Sequence, residues 1–131
     1  MPSPATRSAY AGAPLGCGTS KAVTAVPVIH ASGAPAYGLR VALGGAVVGY
    51  SGDTEWTEAL LEVADAADLF ICEAYSFDKP IRHHLSYATL REHRARLDCR
   101  RLIVTHLGAD MLARRAELAQ EIAEDGLALE V

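Results

Sequence analysis

The chain has 131 residues, of which 50% are hydrophobic and 21% are charged, and its formal net charge is −4. This composition is typical of one globular domain, and the negative balance argues against a basic surface for nonspecific nucleic-acid binding. No apolar run is long enough to cross a bilayer and no secretory leader is evident, so we expect no membrane partner. The three cysteines have no paired spacing, which indicates a reducing, cytoplasmic location, and Cys72 falls within a predicted buried strand as a packing residue.

The first part of the chain predicts a leader followed by antiparallel strands. Residues 1–22 are rich in Ala, Gly, Pro and Ser and lack periodicity, which is typical of a loose leader that need not be ordered. Residues 23–29, Tyr37–Leu43 and Ala46–Tyr50 contain β-branched and aromatic residues and predict three strands. Gly44-Gly45 predicts a hairpin turn between the last two, so the sheet begins antiparallel.

Three side chains capable of chemistry stand where predicted strands end. They are Asp53 after the strand over 46–50, Glu73 after an apolar run over 69–72, and His106 after an apolar run over 102–105. The apolar spacing of residues 54–67 predicts a helix capped by Thr54, and Ser86 begins a second predicted helix that extends to about Leu97. Helical crossovers make consecutive strands parallel, and parallel strands place their carboxyl ends at one edge of a sheet. We therefore expect the three side chains to gather at one site.

The remaining segments predict a loop over 74–84, a last helix over 109–124 and a final strand over 127–131. Within them we expect His83 to be exposed, and we expect His93 to lie on a solvated helix face. Five arginines crowd the end of the second helix: Arg91, Arg94, Arg96, Arg100 and Arg101. This cluster indicates either a solvated helix end, where the helix dipole favours cations, or a phosphate-binding surface.

Four short motifs follow one another in a recognisable order. They are Ser51-Gly52-Asp53-Thr54, Glu73-Ala74, His84-Leu85-Ser86 and Thr105-His106, preceded by the strand pair of residues 28–40. In this order they resemble the C-terminal half of the metallo-β-lactamase-fold hydrolases, in particular the ribonuclease Z-like branch. The resemblance covers residues 23–131, which it identifies as a half domain. It implies an α/β fold, the C-terminal half of an αββα sandwich, with a mixed sheet whose antiparallel strands come first and whose βα units follow.

The same resemblance implies roles for four residues, and His30 is considered beside them on its position alone. The family site holds two metal ions, usually zinc, so that Asp53 would bridge both ions and His106 would bind one of them. Carboxylate oxygen and imidazole nitrogen are ordinary zinc donors. His84 would be a proton donor or phosphate contact, and Glu73 would orient it. His30 is expected either to face the cleft as a substrate contact or to make a structural hydrogen bond at its strand end.

One part of the family's pattern is missing. The HxHxDH motif that supplies most of the family's ligands is absent, because His30 is the only histidine before Asp53. Asp53 and His106 are fewer than the three or four protein ligands that a zinc site normally needs. We therefore expect a truncated metal-dependent hydrolase, with little activity alone, that acts on a small-molecule or nucleotide-like phosphoester. Its expected partner is a missing N-terminal half or a second copy, which would cover exposed apolar surface.

Two other hypotheses come from different functional classes. The first is a non-catalytic interaction module derived from the same fold. The second is a receiver-type signalling domain with Asp53 as the phosphoacceptor, which the chain length and the strand-end acid also fit. Such a domain needs a lysine after a late strand, but the only lysines are Lys21 and Lys79, and neither follows a predicted strand. The receiver hypothesis is therefore set aside.

Overall fold

The computed structural model describes residues 9–11 and 21–131. Within these residues one sheet contains seven strands in chain order: β1 (Ala9–Ala11), β2 (Lys21–Pro27), β3 (Tyr37–Leu43), β4 (Ala46–Tyr50), β5 (Ala67–Glu73), β6 (Cys99–Thr105) and β7 (Glu121–Ile122). The pairs from β1 to β4 are antiparallel, and those from β4 to β7 are parallel. This confirms the predicted mixed α/β sheet, with its antiparallel strands first.

The helices of the described residues are short. They are α1 (Ala59–Ala64), α2 (Tyr87–His93) and α3 (Ala109–Ala113), with single 3₁₀ turns at Arg94–Arg96 and Arg115–Glu117. The predicted cap of α2 is confirmed, since the Ser86 hydroxyl accepts a hydrogen bond from the Thr89 N–H at 3.1 Å. In the described part of the chain, no helix has the length and apolarity needed to cross a membrane.

The helix predicted over residues 54–67 is wrong at both ends. The hydroxyl of Thr54 does not cap a helix, because it accepts the N–H of Ile29 at 3.0 Å and donates to the carbonyl of Glu55 at 2.7 Å. The N–H of Glu55 in turn donates to the carbonyl of Ile29 at 3.1 Å, which keeps this segment extended beside the end of β2. Ala66 adopts a left-handed φ of 50°, and the chain enters β5 at the next residue.

The C-terminal predictions are also wrong. The helix predicted over 109–124 ends at Ala113, and Ile122 instead pairs with Val104 in a parallel strand. The apolar spacing of this segment fits a helix. Pairing Ile122 with β6 instead buries its side chain and gives hydrogen-bond partners to backbone groups at an open edge of the sheet. Residues 127–131, predicted as a strand, have no regular secondary structure.

The predicted leader over residues 1–22 is only partly described. Residues 9–11 form β1, in which Tyr10 is the register partner of Val23, and β2 begins at Lys21. A loose leader is therefore wrong for these two segments. The rest of the predicted leader lies outside the described residues.

The helices pack on one face of the sheet, where Leu60, Val63, Phe70 and Leu90 are at most 1% exposed. Gly49 permits this packing, because a Cβ at that position would lie 2.5 Å from the Val63 carbonyl oxygen. Phe70 faces the helices. Side chains alternate between the two faces of a strand, so the strand residues next to Phe70 and next to its register partner Gly49 lie on the opposite face of the sheet. We call it the open sheet face, and it consists of Val23, Ala25, Leu39, Val41, Val48, Tyr50 and Ile71. These residues are partly exposed, and Tyr50 is 41% exposed.

The C-terminal end of α1 is held by a side chain from β3. The Arg40 guanidinium donates to the carbonyls of Glu62 and Val63, each at 3.1 Å, and to that of Asp65 at 2.6 Å. The last carbonyls of a helix lack a full set of partners within it, although the Glu62 carbonyl also accepts the Asp65 N–H at 3.3 Å. A cation near a helix C-terminus is also favoured by the helix dipole.

Candidate active site

The parallel strands bring three predicted site residues to one edge of the sheet. Glu73 ends β5, and its register partner Thr105 ends β6, so His106 follows directly beside Glu73. Asp53 lies three residues beyond Tyr50, the last residue of β4. The predicted convergence is confirmed, because Asp53 Oδ1 lies 3.3 Å from His106 Nδ1, which in turn lies 3.0 Å from Glu73 Oε1.

Glu73 is the buried centre of this cluster, and its side chain is fully shielded from solvent. Its Oε1 contacts the Nδ1 atoms of His84 and His106. Its Oε2 accepts backbone N–H bonds from Leu85 at 2.7 Å and Thr54 at 3.3 Å. A buried carboxylate is costly unless paired and hydrogen-bonded, and here three separate loops meet that requirement.

The two histidines that contact Glu73 differ in exposure and backbone. His106 is 42% exposed, whereas the His84 side chain is 20% exposed. His106 has a left-handed φ of 57°, and the preceding neighbour of His84, His83, has a φ of 67°. This conformation is uncommon for residues other than glycine, and it occurs here at both loops that carry the imidazoles.

Tyr75 is a site residue that sequence reasoning missed. Its ring stacks on His84 with a centroid separation of 4.5 Å and lies 5.3 Å from the ring of His106. Its N–H donates to the Leu85 carbonyl at 2.9 Å, and its carbonyl accepts the Gly108 N–H at 2.8 Å. Tyr75 thus joins both histidine loops. The sequence signal that could have identified Tyr75 is its position two residues after Glu73.

His30 also reaches this region, although its predicted substrate role stays a prediction. Its Nδ1 donates to the His83 carbonyl at 2.9 Å, and its ring lies 5.2 Å from that of His84. The expectation that His83 is exposed is wrong. The ring Nδ1 of His83 is buried without a hydrogen-bond partner among the described residues. The backbone N–H of His83 donates to Glu55 Oε2 at 3.2 Å.

His93 lies outside the cluster and is not simply solvated. Its ring stacks on that of Trp56, with centroids 3.8 Å apart and planes inclined by 5°. Trp56 packs against the core from the extended segment before α1. Three of the clustered arginines form ion pairs with acids: Arg96 with Glu58, Arg100 with Asp68, and Arg101 with Glu121. These pairings favour the solvated-surface interpretation over a phosphate-binding one.

Two neighbouring groups have raised pKa values. Partial burial raises the pKa of Tyr50, and the negative charges of Asp53 and Glu73 add to this effect. Complete burial raises the pKa of the Cys72 thiol to about 12. Tyr50 is therefore a neutral phenol beside the acids, and Cys72 acts as a packing residue, as predicted.

The cluster contains donor atoms of the kinds that could hold a metal ion. Glu73, His84 and His106 each offer a ligand atom, and these atoms lie within 4.8 Å of one another. Two donors that bind one tetrahedral zinc at about 2.0–2.1 Å lie roughly 3.3 Å apart. The separation between Asp53 Oδ1 and His106 Nδ1 is also 3.3 Å, but the same nitrogen lies 3.0 Å from Glu73 Oε1, so it can either donate to that carboxylate or bind an ion, and not both.

The sheet, its edge and this cluster together define a metallo-β-lactamase-fold protein. Residues 5–107 match the Beta-lactamase superfamily domain, and the chain belongs to that superfamily. An uncharacterized protein of Mycobacterium leprae is 38% identical over 90 residues, which cover 66% of this chain and 32% of that protein. The chain thus spans about a third of the length of this relative.

Solved structures show the same fold. The metallo-beta-lactamase fold protein YhfI from Bacillus subtilis is 22% identical with a TM-score of 0.69, over 84% of this chain and 50% of that one. A diphosphatase from the PhnP family is 24% identical with a TM-score of 0.68, over 85% and 44%. The short form of human tRNase Z is 20% identical with a TM-score of 0.65, over 84% and 43%. Each match spans half or less of the solved chain.

Proposed function

We propose that the chain carries one half of the active site of a metal-dependent hydrolase. The enzyme acts on phosphodiester or related ester bonds through a metal-activated water, and this chain alone has little activity. The observation that carries the proposal is the meeting of Asp53, Glu73, His84 and His106 at one sheet edge. A diphosphatase and a tRNase among the similar structures support phosphoester chemistry.

Asp53 and His106 would hold the metal. Both are about two-fifths exposed, so their donor atoms are accessible at the site. Bound zinc supplies a water of lowered pKa and an electrophile that stabilises negative charge. Glu73 cannot turn freely toward an ion, because the Leu85 N–H holds its Oε2 at 2.7 Å.

Glu73 and His84 would handle the proton. The Glu73 carboxylate accepts the Nδ1–H of His84, which fixes the orientation of the ring. Stacking on Tyr75 restrains the plane of the same ring. An imidazolium held in this way can donate a proton to a leaving oxygen or contact a phosphate.

The missing ligands would come from an N-terminal half-domain. Two ligands are fewer than a zinc site needs, and the described residues offer the open sheet face as a docking surface for a second sheet. Its partly exposed Val23, Leu39 and Val41 are apolar, as an interface between packed sheets requires. A second copy of this chain would duplicate the ligands already present and supply no HxHxDH motif.

Complementation tests the proposal. The chain is combined with an N-terminal half-domain that carries HxHxDH, and zinc content is measured beside turnover of bis(p-nitrophenyl) phosphate. We expect two zinc ions and metal-dependent turnover in the complex, and weak zinc binding without turnover for the chain alone. A complex that forms but neither binds zinc nor turns over would favour the non-catalytic interaction module instead.

Point variants of the restored complex separate the roles. Asp53→Ala should lose metal and activity together, because it removes a ligand. His84→Ala should keep its metal and lose turnover by about 10²- to 10⁴-fold, as expected for a proton donor. His93→Ala is the matched imidazole control and should keep both. Full metal and full rate in Asp53→Ala would contradict the assignment.

A further inference from the structure

A cleft of about 490 Å³ opens beside the candidate active site. It lies between the segment 78–82 and the start of α2, and His84 belongs both to its wall and to the cluster around Glu73. A group bound in the cleft would therefore adjoin the imidazole that we assign to the proton transfer. No role described above uses this space.

The wall of the cleft is partly apolar. Trp56, Ile81 and Leu85 line it together with Pro80 and Ala88. Trp56 is held in place by its stack with His93, so this part of the wall is preformed. Such a surface suits a small ring or a short hydrocarbon frame, because burial of apolar area stabilises binding.

The charges of the cleft select the ligand further. Three carboxylates line it, those of Glu55, Asp78 and Glu92, against the single guanidinium of Arg82. Glu55 already accepts the His83 N–H, whereas Asp78 and Glu92 form no ion pair within the described part of the chain. The negative balance attracts a cation and repels a further phosphate.

We propose that this cleft binds an ammonium-bearing, partly apolar group of the ester substrate. This specificity rests on the proposed hydrolase function, since it assigns the cleft to the alcohol part of the scissile ester. The apolar wall takes the carbon frame, and Asp78 and Glu92 take the ammonium. Polyanionic chains are disfavoured at the same place.

Fluorescence of the full chain tests the site without any metal or turnover. Trp56 is the only tryptophan, so its emission reports on the cleft directly. Benzylammonium, benzyl alcohol and phenyl phosphate are titrated separately at low ionic strength, where charge effects are least screened. We expect a saturable change with benzylammonium, weaker binding of benzyl alcohol by about three- to tenfold, and no saturable change with phenyl phosphate.

A charge-matched pair of double variants completes the test. Asp78→Asn/Glu92→Gln should weaken benzylammonium binding to the level of benzyl alcohol. Asp125→Asn/Glu130→Gln removes the same two charges from exposed positions outside the cleft and should bind as the unaltered chain does. Equal binding of benzylammonium and benzyl alcohol, or an unaffected cleft variant, would overturn the proposal. Failure of complementation would leave this result intact, so the two proposals fail separately.

Discussion

Replacing Glu73 should expose how strongly one buried carboxylate ties the site together. In Glu73→Ala, the N–H groups of Leu85 and Thr54 lose their acceptor, and the imidazoles of His84 and His106 lose their shared partner. The Ala side chain leaves a space in a fully buried location. The loops that follow β4, β5 and β6 would then lose the side chain that hydrogen-bonds to all three of them, and the Tyr75 backbone bonds would still join the last two.

The expected loss of unfolding free energy can be built from these contacts. A buried donor left without its acceptor costs about 1–3 kcal/mol, and Glu73→Ala leaves two such N–H groups. Removing the buried charge itself recovers part of its desolvation cost, so the combined cost of about 2–6 kcal/mol falls to an expected net loss of about 2–4 kcal/mol. Glu73→Gln keeps an oxygen acceptor for the Leu85 N–H, and we expect a loss of about 1–2 kcal/mol.

Urea unfolding at pH 7, followed by circular dichroism, measures both losses. Glu124→Ala serves as the control, because Glu124 is 59% exposed and its ion pair with Arg115 lies at the surface. A surface pair contributes about 0–1 kcal/mol. If Glu73→Ala leaves no folded baseline, the Gln variant still gives a midpoint. A Glu73→Ala protein that unfolds at the same urea concentration as Glu124→Ala would refute the assigned hydrogen-bond network.

Two further predictions concern the core and the thiols. Leu60→Ala should lower the free energy of unfolding by about 2–5 kcal/mol, because Leu60 is 0% exposed. The control Leu112→Ala should change it by less than about 1 kcal/mol, because Leu112 is 52% exposed. Equal urea midpoints for the two variants would contradict the packing. Iodoacetamide at pH 8 should label Cys99 before Cys72 in the folded chain, since both thiols have pKa values raised by burial but only Cys72 is fully buried. Peptide mapping by mass spectrometry reads the order, and earlier labelling of Cys72 would contradict it.

The strand-end residues of the site could be located from the sequence because one rule fixes them. Asp53, Glu73 and His106 each follow an apolar run, and parallel pairing alone brings such positions to one edge. Predicting that these three side chains meet therefore required no knowledge of how side chains pack. Tyr75 could not be found in this way, because its role comes from stacking on His84, nine residues away in sequence.

The helix boundaries failed for a different reason. Residues 54–67 have a helical apolar spacing, but their first part bonds to Ile29, whose partner Thr54 is 25 positions away. Ile122 similarly fits either a helix face or a strand edge, and pairing with Val104 decides between them. Long-range partners of this kind override local periodicity, and a single sequence does not reveal them.

The contact between Arg40 and the end of α1 has a consequence for hydrogen exchange. A helix of six residues does not persist by itself in water, and its last carbonyls are held by a guanidinium anchored in β3. Fraying of that end must therefore break bonds to the sheet as well as bonds within the helix. The amides of α1 and of β3 should consequently open as one cooperative unit and exchange at similar rates, although one element is a short helix and the other an internal strand.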